Sequence, residues 1–176
     1  FSDLPTVIVE PGIKTGVPIL TDNPKEVGAD RIVNTLAAHY LFGGPCIVVD
    51  FGTSTNLDVV SEKGEFLGGA LAPGIEISLE ALSERAAQLR KVELVAPRSV
   101  IGKNTVEALQ SGALYGFAGQ VDGLAERIIE EVGPVTAVVA TGGLSQIVVN
   151  ESRTITNHEP DLTLLGLALL FEKNQD

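Results

Sequence analysis

Apolar positions change their period several times along the chain, and each change marks an element. Between Pro24 and Gly43, the residues Val27, Ile32, Val33, Leu36, Ala37 and Tyr40 recur at largely helical spacing. With Pro at the start and Gly43-Gly44 at the stop, this predicts an amphipathic helix. Three short strands follow, "CIVVDF", "NLDVVS" and "EFLGGAL". "EKG" joins the last two as a tight hairpin, with Gly64 free to take a positive φ. "APG" opens a second helix over residues 75–90, with Ile75, Leu79, Leu82 and Leu89 on one side and Glu76, Glu80, Glu84 and Arg85 largely solvated. Residues 103–131 read as one long helix or two abutting ones, and Ala108, Gly112, Gly116, Gly119 and Gly123 give it a low-bulk surface that another backbone can approach. "VTAVVATGG" is a buried strand running into a glycine turn, and "LTLLGLALLFEK" is a closing helix. Upstream, "PTVIV" at residues 5–9 predicts a short strand before a turn-rich approach segment.

Three consecutive strands followed by alternating helix and strand make an α/β chain with a mixed sheet and helices on both faces. This order resembles the ribonuclease H-like fold. A length of 176 residues allows one domain with room for an extra lobe. No apolar run approaches the roughly 18 residues that span a bilayer, so the chain is expected to be soluble.

Charge narrows the partners. At −11, with a pI near 4.5, the chain lacks the clustered Lys and Arg that hold nucleic acid or an anionic membrane. A small anionic ligand remains possible, because backbone amides and a bound cation offset its charge locally. Cys46 is the single cysteine, which excludes an internal disulfide, and its neighbours Ile47 and Val48 make it a packed strand residue. The opening "FSDLPTVIVEPG" contains neither an initiator Met nor a signal-peptide pattern, so the chain is expected to begin inside a longer protein.

Three constellations carry candidate chemistry. In "DFGTST", Gly52 lets a backbone approach, Thr53 and Thr55 offer donors, and Asp50 at a strand end can bind a metal or its water. An ordinary hairpin with a solvated Asp has the same composition. In "VVATGG", Gly142 and Gly143 can make room for a nucleobase or aim a helix N-terminus at phosphate, or can simply connect strand to helix. In "GADR", Asp30 can accept a proton from a hydroxyl while Arg31 holds an oxygen or carboxylate; the alternative is a surface ion pair. His39 and His158 read as solvated, and "AERIIEE" as a solvated helix face.

"DNPKEVGADRIVN", "VVDFGTST", "GEFLGGALAPG", "GKNTVEALQSGALYGFAGQVDGL", "ATGG" and "DLTLLGL" together resemble, in order and spacing, the type III pantothenate kinases. The resemblance runs from Glu10 onward and implies a ribonuclease H-like fold of the actin-like ATPase superfamily, with transfer of the γ-phosphoryl of ATP to pantothenate, the first step of coenzyme A synthesis. It implies Asp30 as catalytic base, Gly28, Ala29, Arg31 and Thr105 as substrate contacts, and Gly52, Thr53, Thr55, Gly142 and Gly143 as ATP contacts. It also implies Asp50 as ligand of a monovalent cation, potassium or ammonium, Mg²⁺ accompanying ATP, a homodimer and a cytoplasmic location.

On this resemblance, residues 1–45 are an inter-lobe segment with the substrate helix, and residues 46–176 are a C-terminal ribonuclease H-like domain. The family's first lobe, with its Asp-x-Gly-Asn-Thr hairpin, has no counterpart in the sequence, so the chain alone is expected to be inactive. Thr21 stands where many members carry a tyrosine. The competing expectations are a non-catalytic binding or regulatory homologue, and an actin-like kinase for sugars or acetate, which "GADR" disfavours.

Overall fold

The computed structural model describes residues 5–9, 13–85 and 92–175. Five strands form one sheet in the order β3-β2-β1-β4-β5: β1 (Cys46–Phe51), β2 (Ser54–Val60), β3 (Phe66–Pro73), β4 (Ala137–Thr141) and β5 (Asn157–His158). The first three are antiparallel neighbours, while β4 and β5 run parallel to β1, as the expected mixed sheet requires. Gly64 takes φ 80° in the β2–β3 turn.

The helices are α1 (Ala29–Phe42), α2 (Ile75–Arg85), α3 (Thr105–Val132), the single turn α4 (Ser145–Val148) and α5 (Leu162–Lys173). Residues 103–131 thus resolve into one long helix, whose cap Asn104 accepts from the Glu107 amide at 2.9 Å. The first helix starts later than its periodicity predicts. Pro24–Glu26 form a separate 3-10 turn, and Val27 and Gly28 are extended before α1 begins. That break leaves Asp30 in the first turn of α1, where its charge complements the helix dipole.

Two other expectations change. "PTVIV" forms no strand, because the backbone beside β3 is taken by residues 18–20: Leu20 N–H donates to Phe66 O and Phe66 N–H to Pro18 O, both at 2.8 Å. In α2 only Ile75 is buried and Leu82 is exposed; the rest of that predicted helix, including Leu89, lies outside the described residues.

Strand alternation divides the core into two layers. Ile47, Val49, Phe51, Leu57, Val138 and Ala140 face α3, whose Ala113, Leu114, Ala118, Val121 and Ala125 cover them. Cys46, Val48, Val60, Ala137 and Val139 face the other way, toward Ala37 and Ala38 of α1 and Leu162 of α5. Burial pushes the Cys46 thiol up to about 12, in keeping with a packed and unreactive residue. The expected boundary near residue 45 falls in the turn from α1 into β1, and α1 shares this second layer with the sheet.

Asp122 ties α3 to the segment before β5. Its carboxylate accepts from the Arg153 and Thr154 amides and from the Ser152 and Thr154 hydroxyls, at 2.6–3.1 Å. Although burial opposes the charge, these donors hold the carboxyl down to about 2. A depressed carboxyl contributes stability above its unfolded pKa and loses it as pH falls through the folded value, so about 2 kcal/mol should vanish between pH ~4 and ~2. Asp122→Ala is expected to cost about 3 kcal/mol in urea unfolding at neutral pH, because the donors lose their acceptor together. An unchanged midpoint would show that water replaces the carboxylate fully.

Candidate active site

The second layer changes character toward the C-terminal end of β1. Where Cys46 and Val48 are apolar, Asp50 follows on the same face; β2 places Asn56 opposite Asp50 and Asp58 opposite Val48, and β4 places Thr141 beside Asp50. Asn34 of α1 and Thr163 of α5 complete a polar end to an apolar layer. Thr163 Oγ1 donates to Asn34 Oδ1 at 2.7 Å, and Asn34 Nδ2 donates to Asp50 Oδ2 at 3.3 Å.

The two glycine-bearing loops meet here. Gly142 has φ 92°, and a Cβ on it would stand 2.5 Å from Asp50 Oδ1 and 2.6 Å from Phe51 O. Only glycine allows that turn to lie against the strand end. The "DFGT" and "ATGG" segments are therefore neighbours, although most of the chain between β1 and β4 separates them. Gly74, at the mouth of α2, donates its amide to Thr53 O at 3.0 Å, which fixes the hairpin from the other side.

Asp50 is half-buried, and its carboxyl is raised above the ordinary value, first by burial and then by the charge of Asp30, with the Asn34 amide opposing. Asp30 itself is exposed, its carboxylate turned back toward the backbone of Gly28. Gly28 and Ala29 are exposed beside it. Asp58 is likewise raised by burial, lowered by Arg31, and raised again by Asp50 and Asp30. Asp30 thus acts on both Asp50 and Asp58, and Asp50 acts on Asp58.

Arg31 is not a free surface cation. Its Nε donates to Asp58 Oδ1 at 2.9 Å, and its Cζ lies 5.0 Å from the Phe66 ring centroid. It lines a cleft with Thr21, Asp22, Asn23, Glu26, Phe66 and Gly68, in which Asn23 Nδ2 donates to Glu26 Oε1 at 2.6 Å.

Gly52 and Thr53 are exposed at the hairpin tip, and Gly143 is exposed after β4. Thr55 is a correction: it sits opposite Phe51 in β2 with no exposure, so its hydroxyl lies inside the sheet layer instead of at the open hairpin. Thr105 begins α3, which covers the opposite face of the sheet from α1. Thr141, Gly142, Gly143, Ser145, His158 and Thr163 line a second cleft of ≈ 210 Å³. His158 is exposed, yet its Nε2 lies 2.8 Å from Ser145 Oγ, which in turn donates to Gly142 O at 2.6 Å, so the ring helps set the glycine turn. His39 has a comparable supporting place, 3.1 Å from Glu62 O in the β2–β3 turn.

Sequence reasoning overlooked Asn34, Asp58 and Thr163. The signal for Asp58 was present: a carboxylate inside the apolar strand "NLDVV" must be paired or exposed. Asn34 also lies one helical turn beyond Asp30 and Arg31.

Comparison with known proteins decides the family. The family described as "Type III pantothenate kinase" matches residues 1–127. The type III pantothenate kinase of Frankia alni is 73% identical over 174 residues, which cover 99% of this chain and 70% of that one. The chain belongs to the type III pantothenate kinase family. The Saccharopolyspora erythraea type III pantothenate kinase is 69% identical over 178 residues, covering 99% of this chain and 67% of that one. The chain thus spans about 70% of the length of these relatives.

Solved structures support the same fold at lower identity. A Baf-family protein from Campylobacter jejuni aligns with a TM-score of 0.56 at 24% identity, over 86% of this chain and 66% of that one. The activator of 2-hydroxyisocaproyl-CoA dehydratase from Clostridium difficile, solved with ADPNP, aligns at 0.51 and 13% identity over 87% and 69%. The type III pantothenate kinase fold seen here is accordingly the actin-like, ribonuclease H-like one. Among the described residues no helix is long and apolar enough to cross a membrane.

Proposed function

We propose that this chain supplies the pantothenate side and part of the nucleotide side of an ATP-dependent kinase that converts pantothenate to 4'-phosphopantothenate in the cytoplasm, with the remaining length of its relatives completing the phosphate grip. The observation that carries the reading is the meeting of Asp50, the Gly142 turn and the N-terminal half of α1 at the C-terminal ends of β1 and β4. Asp30 accepts the proton of the pantothenate hydroxyl as its oxygen bonds to the γ-phosphorus and the bond from that phosphorus to the bridging oxygen breaks, releasing ADP, while Arg31, Gly28 and Ala29 hold the acid. The Gly52 and Thr53 backbone and the Gly142-Gly143 turn receive ATP from the opposite side. In such a transfer, positioning and charge neutralisation supply most of the acceleration.

The donors around Asp50 suit a monovalent cation. Its carboxylate carries one amide bond from Asn34, is raised by burial, and faces the charge of Asp30; a potassium or ammonium ion there would relieve both penalties. Mg²⁺ would be held largely through the ATP phosphates. A homodimer fits the low-bulk side of α3, where a Cβ on Gly112, Gly116 or Gly119 would meet nothing within 4 Å.

Potassium titration of the full-length enzyme tests this reading. Asp50→Asn should raise the potassium concentration for half-maximal activity by about ten-fold or more, by loss of the one charged ligand. An unaltered potassium response would remove Asp50 from the cation site. A non-catalytic homologue would show no turnover, and a pure interaction module would in addition show no heat of binding with pantothenate or ATP.

A further inference from the structure

Asp58 is buried at 1% exposure between the apolar part of its strand face, with Val48 and Val60, and the polar end that carries Asn56 and Asp50. Its Oδ1 accepts from both Nε and Nη2 of Arg31, while its Oδ2 is buried without a partner among the described residues. A buried carboxylate with one oxygen unsatisfied is poor material for stability, since a well-packed apolar residue at such a site commonly does as well or better. Its geometry has a different consequence. Asp58 grips one edge of the guanidinium and Phe66 covers its face, so the plane of Arg31 is fixed in two directions. Nη1 has no protein partner among the described residues, and Arg31 lines the cleft beside Thr21 and Gly68.

We propose that Asp58 is a positioning residue for the acid substrate: by clamping the Nε and Nη2 edge of Arg31 against Phe66, it presents the remaining donors of the guanidinium to a substrate carboxylate or hydroxyl oxygen in that cleft. The inference rests on the reading of Arg31 as a pantothenate contact. Asp58 touches neither substrate nor nucleotide and acts only through Arg31.

The test is a double-mutant cycle in the full-length enzyme, read by steady-state kinetics and thermal unfolding. Asp58→Asn keeps the shape and removes the charge; it should raise the KM for pantothenate by about ten-fold while KM for ATP stays within about two-fold. Its melting temperature should fall less than that of Arg31→Ala, because the Asn amide oxygen still accepts from the guanidinium and no buried charge is stranded on β2. Arg31→Ala should raise the same KM and lower the melting temperature, because Asp58 is left buried and unpaired. Adding Asp58→Asn to Arg31→Ala should recover the melting temperature with no further change in KM. Asp58→Glu, which keeps the charge but shifts it, should fall between wild type and Asp58→Asn. If Arg31→Ala leaves the pantothenate KM unaltered, the substrate reading of Arg31 fails and this inference with it. If Arg31→Ala raises it but Asp58→Asn does not, or if the two effects simply multiply, the positioning role alone is overturned.

Discussion

Asp30→Asn is expected to lower kcat for pantothenate phosphorylation by about 100-fold or more while KM for ATP changes by less than about two-fold. The substitution keeps the shape of the side chain and removes its capacity to take a proton. Because Asp30 is exposed in the first turn of α1, folding should hardly notice the change beyond a lost dipole interaction of about 0.5 kcal/mol. A second readout follows from the electrostatics. Asp30 is one cause of the raised carboxyl of Asp50, so the mutant should bind potassium more weakly through loss of negative charge, although Asp50 itself ionises more readily. Full activity in this variant would dispose of Asp30 as the base and would leave positioning as the source of the rate.

Gly166→Ala should destabilise the fold strongly for so small a change. Gly166 is buried in α5 where that helix crosses α1, and an added Cβ would run into the backbone carbonyl of Val33, whose carbonyl carbon lies 2.6 Å away. In an open helix the same change adds up to about 1 kcal/mol of stability through helix propensity. Here the sign reverses, because a backbone neighbour cannot rotate aside and the two helices must separate, at a cost of about 3 kcal/mol. The separation also reaches the site. Thr163 lies one turn before Gly166 and bonds Asn34, the residue after Val33, so the support of Asp50 should loosen together with the fold. Urea unfolding and a potassium titration on the same protein check both parts. A wild-type midpoint would mean that α1 and α5 have room to spare.

The hydrophobic pattern was sufficient for most of the architecture. Strands as apolar as "CIVVDF" and "TAVVAT" have few alternatives to burial, and the glycines at 43 and 64, both at positive φ, mark the helix stop and the turn in the sequence itself. Its failures were at weak signals. "PTVIV" has strand composition, but whether a strand finds a partner depends on which segment reaches the edge of β3, and residues 18–20 occupy that place. Thr55 and Thr53 look equivalent in "DFGTST"; the register of Phe51 against Thr55 puts one inside the sheet and leaves the other in the open.

The site divides along the same line. Sequence alone marked Asp30, Arg31, Asp50 and the two glycine turns as candidates, because charge, missing side chains and hydroxyls beside buried strands are properties of residues. Tertiary structure alone decided that Gly142 rests on Asp50, that Asn34 links Asp50 to Thr163, and that Arg31 is clamped by Asp58. Those pairings arise where helices cross a sheet and where two parallel strands end together. A linear order cannot express them, since each depends on distances between atoms that the chain brings together only by folding.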